Sequence, residues 1–147
     1  QYSGDSLSLA LALWGSAVAS DRLGEGTAAV ERAGAALNAS GGNMLLLRSN
    51  GVFFEPESEI HWYEGLGALA MAEASTEPDE KLAALRRALR SFQTYLDEVE
   101  TPATWDRVVE GRVRRIQEEL ATLERAAPAE GAGRGRQPGR PRPVARP

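Results

Sequence analysis

Two long amphipathic patterns joined by a very short connection place the strongest constraint on how this chain folds. Within residues 78–99, apolar side chains recur at steps of three and four, the spacing of one α-helix face. A second such pattern occupies residues 103–126. Thr101 and Pro102 suit the end of one helix and the start of the next, and this short connection predicts antiparallel packing. The two predicted stripes are Leu82, Leu85, Leu89, Phe92, Leu96 and Val99, then Trp105, Val109, Val113, Ile116, Leu120 and Leu123.

Two more helices are predicted at residues 27–39 and 58–75. Ser58 is a suitable N-cap for the second of them. Gly65 and Gly67 lie within it, and because glycine is unfavourable inside a helix, they indicate close approach of a neighbouring helix. The expected packing face is Ile60, Tyr63, Leu66, Gly67, Ala70 and Ala74.

Residues 5–22 allow more than one interpretation. Leucine at every second position from Leu7 to Leu13 fits a strand, whereas the spacing of Leu7, Leu11, Trp14 and Val18 fits a helix. Alanines between the leucines favour the helix. The apolar run 7–20 also resembles part of a signal peptide, but it lacks a positively charged leader and is too short to span a bilayer. We therefore predict a core helix, which brings the expected total to about five.

The segment 44–55 is the least helical part of the predicted domain. Asn50-Gly51 between two short apolar runs is typical of a β-hairpin. An irregular loop that tucks Leu46 and Phe53 against the helices fits equally well. Both interpretations remain open at this point.

The last twenty residues differ from the rest in composition. Residues 128–147 carry five arginines and one glutamate, a net charge of +4, so subtraction from the chain's −4 leaves about −8 for residues 1–127. A segment rich in arginine, proline and glycine cannot bury enough apolar surface to fold alone. We predict a helical domain at 1–127 and an extended or disordered tail at 128–147.

The absence of cysteine excludes disulfides, thiolate catalysis and cysteine-ligated metal sites. Cellular compartment stays open, since bacterial periplasm and cytoplasm both fit such a composition. The sole histidine, His61, lies between Glu57 and Glu64 at helical spacing, which is compatible with a single-metal site. Acidic residues at a helix start are also favoured by the helix dipole alone, so we predict no metal, cofactor or catalytic residue.

Several residues resemble a tetratricopeptide-type helical repeat. That family pairs an aromatic and a Leu-Gly on its first helix with an alanine and an aromatic on its second. The spacing from Gly67 to Ala88, 21 residues, is longer than the family's, and an earlier copy around Trp14-Gly15 is degenerate. The resemblance implies stacked helical hairpins that bind protein partners, with residues 103–126 as the closing helix. The matching residues are Tyr63, Leu66, Gly67, Ala70, Ala88, Phe92 and Tyr95.

These observations predict a protein–protein interaction subunit or adaptor of a larger bacterial assembly, with no small-molecule substrate identified. The alternative is a factor that binds nucleic acid or an anionic membrane through its arginine-rich tail. A metal-dependent enzyme using His61 ranks third. The predicted protein-binding residues are Trp62, Tyr63, Met71, Tyr95, Arg134, Arg136, Arg140 and Arg142.

Overall fold

The computed structural model describes residues 4–49, 51–99 and 104–131, with side chains from residue 6 to residue 126 of these ranges. Within them the chain forms five α-helices and a short 3-10 turn at Leu45–Arg48, and no strand. The all-α prediction is therefore confirmed. The helices are α1 Gly4–Arg22, α2 Gly26–Ala39, α3 Glu59–Ala74, α4 Pro78–Glu98 and α5 Asp106–Gly131.

Helix α1 resolves the ambiguity of the leucine-rich start in favour of a helix. Its inner face buries Trp14, Ala17 and Val18, whereas Leu7 and Leu9 remain exposed near its beginning. None of the helices in the described ranges combines the length and apolarity that crossing a membrane requires.

Helix α3 lies at the centre of the fold and packs against α1, α2 and α4. Small residues let its neighbours come close: a side chain at Gly65 would meet the ring of Phe92, and one at Gly67 would meet Trp14 and Met44. The single packing face predicted for α3 contains too few of the residues that are buried. A helix that is apolar on all sides is buried on nearly all sides. Its buried residues are Trp62, Gly65, Leu66, Gly67, Ala68, Leu69, Ala70 and Ala72.

Helices α4 and α5 confirm the predicted stripes. Buried positions on α4 follow the helical repeat, and on α5 they are Val109, Ile116 and Leu120 together with Arg112. Leu82 near the start of α4 and Leu123 near the end of α5 line one groove, so the pair is antiparallel as expected. Helix α5 continues to Gly131, four residues past the predicted domain boundary.

Contacts between α1 and α3 run in opposite directions along the two helices. Trp14 lies next to Gly67, whereas Arg22 at the end of α1 pairs with Glu59 at the start of α3. Successive copies of a stacked repeat differ by a small rotation, which keeps equivalent helices nearly parallel. The fold consists of packed helical hairpins. Because α1 and α3 are antiparallel, the two hairpins are not related to each other as successive copies of a stacked repeat are.

The connection between α2 and α3 contains no β-hairpin among its described residues. Leu47 of the 3-10 turn is buried in the core. The loop alternative was wrong about Phe53, whose side chain is 89% exposed. Phe54 packs inward instead, with its ring edge-on to Tyr63 at 4.9 Å between centroids.

A buried polar network joins three helices. The Asp21 carboxylate on α1 accepts hydrogen bonds from the indole Nε1 of Trp62 at 2.9 Å and from Arg112 of α5. The Nη2–Oδ1 distance of the ion pair is 2.5 Å, and Nη2 also donates to the carbonyl oxygen of Gly26 at 2.9 Å. Both carboxylate oxygens of Asp21 thus accept hydrogen bonds, which is the condition for tolerating a buried charge.

Candidate protein-binding surface

Two of the predicted contact residues lie in the core. Trp62 is 0% exposed and Tyr95 is 3% exposed, and their rings meet edge-on at 5.3 Å. The prediction that these two residues form a binding surface is therefore wrong. Trp62 lies outside the packing face predicted for α3, but it is buried because α3 is enclosed on nearly all sides, and Tyr95 of α4 packs against it. Their role is to hold α3 against α4 and α1.

The other predicted contacts have different positions. Tyr63 is half-buried and lines a surface pocket. Met71 is also half-buried, but it packs against the core and does not line that pocket. The four predicted tail residues, Arg134, Arg136, Arg140 and Arg142, lie outside the described residues.

The pocket beside Tyr63 has a volume of about 320 Å³. It forms where the connection between α2 and α3 meets the beginning of α3 and the part of α1 that carries Leu11, Trp14 and Gly15. We call it the aromatic pocket, and its defining residues are Trp14, Phe53, Phe54, Tyr63, Glu55 and Glu59.

Aromatic side chains in this pocket offer both edges and faces. Phe54 and Tyr63 are fixed by their mutual edge-on contact at an interplanar angle of 66°. Phe53, by contrast, projects from the rim into solvent. An exposed phenylalanine next to fixed rings provides an apolar surface on which a flat side chain can stack.

Charge in the pocket is negative. Glu59 is held by Arg22 at 2.5 Å, and the Arg22 guanidinium in turn lies over the rings of Trp62 at 4.9 Å and Trp105 at 5.6 Å. The Glu55 carboxylate is exposed and has no ion-pair partner in the described part of the chain. Glu55 is therefore free to receive a cation from outside.

The pKa of the Tyr63 phenol reflects the burial and the charges in the aromatic pocket. Its partial burial raises the pKa of the phenol above its ordinary value, Glu59 raises it further, and Arg22 opposes the shift. The phenol consequently stays protonated at neutral pH and can donate a hydrogen bond from its O–H group.

An apolar groove lies near the beginning of α1, and its lining residues Ala10 and Leu46 directly precede Leu11 and Leu47 of the aromatic pocket in sequence. It has a volume of about 310 Å³, and none of its lining residues is charged. Two of its lining residues are exposed, Leu45 at 74% and Leu7 at 42%. Contiguous exposed apolar surface of this kind is typical of interaction sites. Its apolar lining residues are Leu7, Ala10, Ala39, Leu45 and Leu46.

His61 and the nearby acidic residues contact different side chains of the protein and do not converge on one site. Nε2 of His61 lies 3.0 Å from Oε2 of Glu98 on α4, and Glu64 accepts a 2.6 Å hydrogen bond from Nε of Arg48. Glu57 is exposed. Within the described ranges, no cluster of three or more histidine, aspartate or glutamate side chains is arranged to hold a metal ion.

Comparison with protein-family models, with curated proteins and with solved structures finds no match to this chain. Among the pocket residues, the sequence singled out Tyr63 alone as a contact. The signal that was available is the run Val52-Phe53-Phe54-Glu55, which follows a glycine and combines two aromatics with an acid.

Proposed function

We propose that this protein is an interaction module that binds an extended, arginine-containing segment of a partner protein through the aromatic pocket. The observation that carries the proposal is the exposed ring of Phe53 beside the unpaired carboxylate of Glu55. Such a combination suits a cation with a flat apolar face.

Arginine fits this chemistry better than lysine does. A guanidinium stacks on an aromatic ring and pairs with a carboxylate through two parallel N–H donors, whereas an ammonium is a more strongly hydrated point charge. Arg22 provides an internal example, since it pairs with Glu59 while covering two tryptophan rings. We infer that a partner arginine at Phe53 and Glu55 repeats this arrangement at the surface.

The neighbouring apolar groove supports a peptide ligand over a small molecule. A segment that places arginine in the aromatic pocket continues along α1, where Leu7 and Leu45 receive an apolar side chain. The resemblance to tetratricopeptide hairpins supports the same class of function, a subunit or adaptor that recognises protein segments.

A second candidate function uses the tail. Residues 132–147 contain five arginines and no acidic residue, which favours binding to nucleic acid or anionic lipid through phosphate contacts. Because the aromatic pocket is acidic and repels phosphate, a phosphate-containing ligand would bind to the tail alone. The two functions therefore separate in experiments that alter only one of the two regions.

The test uses the full chain with its tail neutralised, so that the tail does not compete with the ligand. We define the tail-neutral chain as the variant with glutamine at the five tail arginines: Arg134, Arg136, Arg140, Arg142 and Arg146. Fluorescence anisotropy would measure its binding to a labelled peptide of alternating arginine and proline. Peptides with lysine or glutamate in place of arginine give the specificity.

We expect the arginine peptide to bind most tightly and the glutamate peptide not at all. Phe53→Ala and Glu55→Gln should each weaken binding by about tenfold, the equivalent of ~1.4 kcal/mol. Leu9→Ala is the matched control, because Leu9 is exposed on α1 but lines neither pocket nor groove. Equal affinity for arginine and glutamate peptides, or equal loss in the control, would contradict the proposal.

A further inference from the structure

We propose that the aromatic pocket of one copy of this protein binds the arginine-rich tail, residues 132–147, of a second copy. This inference rests on the proposed function, since it names the occupant of the same site. The chemistry of the tail, the charge of both parts and the distance between them support it.

The tail carries the side chains that the pocket suits. It contains the run Arg140-Pro141-Arg142-Pro143, in which proline separates successive arginines. Proline favours an extended polyproline conformation, which loses little entropy on binding and is commonly recognised by grooves lined with aromatic residues. Phe53, Phe54 and Tyr63 supply such a lining.

The charges of the two parts are complementary. Residues 132–147 carry a net charge of +5, so subtraction from the chain's −4 leaves −9 for residues 1–131. Exposed Glu55 at the pocket, and exposed Glu57 two residues further along the chain, have no ion-pair partner within the described residues. An incoming tail arginine therefore meets uncompensated negative charge.

Distance argues for a second copy over the same chain. Helix α5 has 26 residues, which corresponds to about 39 Å at ~1.5 Å per residue. Its beginning is close to the pocket, because Trp105 contacts Arg22 and Arg22 pairs with Glu59. The end of α5, from which the tail starts, therefore lies about 39 Å along the helix axis from the beginning of α5, which is the part near the pocket.

The tail motif spans such a distance within one molecule only when the tail before it is almost fully extended. Arg140 and Arg142 follow Gly131 by nine and eleven residues, which reach at most about 32 Å and about 40 Å, and only Arg146 beyond the motif has reach to spare. A neighbouring copy has no such restriction. The contact joins two different surfaces, a tail and a pocket. Two copies that exchange tails therefore form a closed symmetric pair in which both pockets are filled, whereas copies that do not close a pair extend into a chain.

Sedimentation velocity on the full chain over a wide concentration range tests this proposal. We expect a monomer at low concentration and association that rises with concentration and weakens with added salt. The Phe53→Ala chain lacks the acceptor and the tail-neutral chain lacks the donor. Each alone should show a dissociation constant at least about tenfold higher.

Mixing the two variants provides the decisive measurement. The intact pocket of the tail-neutral chain and the intact tail of the Phe53→Ala chain should form a one-to-one complex that neither forms alone. Leu9→Ala serves again as the control, and it should associate like the unmodified chain. Failure of the mixed variants to associate, or a full chain that stays monomeric at every concentration, overturns the inference.

The outcomes also separate this inference from the function on which it rests. If the tail-neutral chain binds the arginine peptide but the full chain does not self-associate, the proposed function stands and the second copy is not the occupant. If the full chain stays monomeric and its affinity for the peptide rises on neutralising the tail, the tail acts within its own molecule. If the peptide does not bind, the proposed function itself fails.

Discussion

Arg112 on α5 and Asp21 on α1, 91 residues apart, form an ion pair inside the protein. The Asp21 side chain is 2% exposed and that of Arg112 is 10% exposed. Because the indole N–H of Trp62 and the carbonyl of Gly26 complete the network, one cluster of hydrogen bonds fixes the beginning of α3 and the second turn of α5 relative to the α1–α2 turn.

Replacing Arg112 by methionine should destabilise the protein strongly. The substitution keeps an unbranched side chain but leaves the Asp21 carboxylate buried without its cation, which typically costs about 3–5 kcal/mol. Urea unfolding followed by circular dichroism would measure the change. In the double variant Asp21→Asn with Arg112→Met, no charge remains uncompensated, so its loss should be smaller than the sum of the single losses.

The pair Arg86–Glu124 is the matched control for that prediction. It also joins an arginine to a carboxylate between helices, at 3.0 Å, but both side chains are about half exposed. Exposed pairs contribute about 0–1 kcal/mol. If Arg86→Met costs as much as Arg112→Met, burial of the Asp21 pair does not determine its importance.

Gly65→Ala and Gly15→Ala should change stability in opposite directions. A methyl group at Gly65 would come within 2.6–2.8 Å of the buried ring of Phe92, whereas one at Gly15 would meet nothing within 4 Å. Overpacking costs about 1–3 kcal/mol and outweighs the helical preference for alanine, which is about 1 kcal/mol. Thermal or urea unfolding of both variants checks the signs. A stabilised Gly65→Ala protein would show that α3 and α4 are less tightly packed than described.

The two neighbouring phenylalanines should differ in their contribution to folding. Phe53→Ala should alter the free energy of unfolding by less than about 0.5 kcal/mol, because the ring is largely exposed. Phe54→Ala should cost about 1–3 kcal/mol, since it removes the contact with Tyr63 and part of the apolar packing. Equal losses in the two variants would place Phe53 in the core and remove it from the proposed binding surface.

Stability should fall in alkaline solution partly through Tyr63 and Tyr95. Burial raises the pKa of both phenols in the folded protein, so each group's contribution is complete below its unfolded pKa near 10 and is lost as the pH rises through the higher folded pKa. Tyr63→Phe should therefore reduce the loss of stability above pH ~10. Unfolding midpoints at neutral and alkaline pH, with the phenol titration followed by ultraviolet absorbance, measure this. An unchanged alkaline loss in Tyr63→Phe would assign the effect to other groups.

The helical spacing of apolar residues in the sequence predicted those helices that bury a single face. The buried side of α4 and α5 was predicted, because one face of each helix is buried and the other is exposed to solvent, but Ala88 and Tyr95, which are buried on α4, were not in the predicted stripe. Helix α3 was harder: a helix enclosed on all sides has no single stripe, and Trp62 therefore looked available for a partner when it is part of the core. The family resemblance pointed to the hairpins but not to the direction in which α1 meets α3.

The polar contacts of this fold had no local signal. Asp21 and Arg112 are ordinary charges in the sequence, and only the folded chain brings them together across 91 residues. The candidate pocket was missed for a related reason. Phe53 and Phe54 are identical and adjacent, and nothing in their order tells which of them turns inward, because the loop that carries them has no repeating geometry.

The connection between α2 and α3 is fastened to the body mainly by Met44, next to Gly67, and by buried Leu47. Positions 51–55 beyond these anchors carry much of the proposed recognition surface, yet apart from Phe54 they add little to the core. In the proposed function, binding preference and folding therefore depend largely on different residues. Replacing Val52, Phe53 and Glu55 while keeping Met44 and Leu47 should then change the preferred ligand and leave the packing of the helices intact.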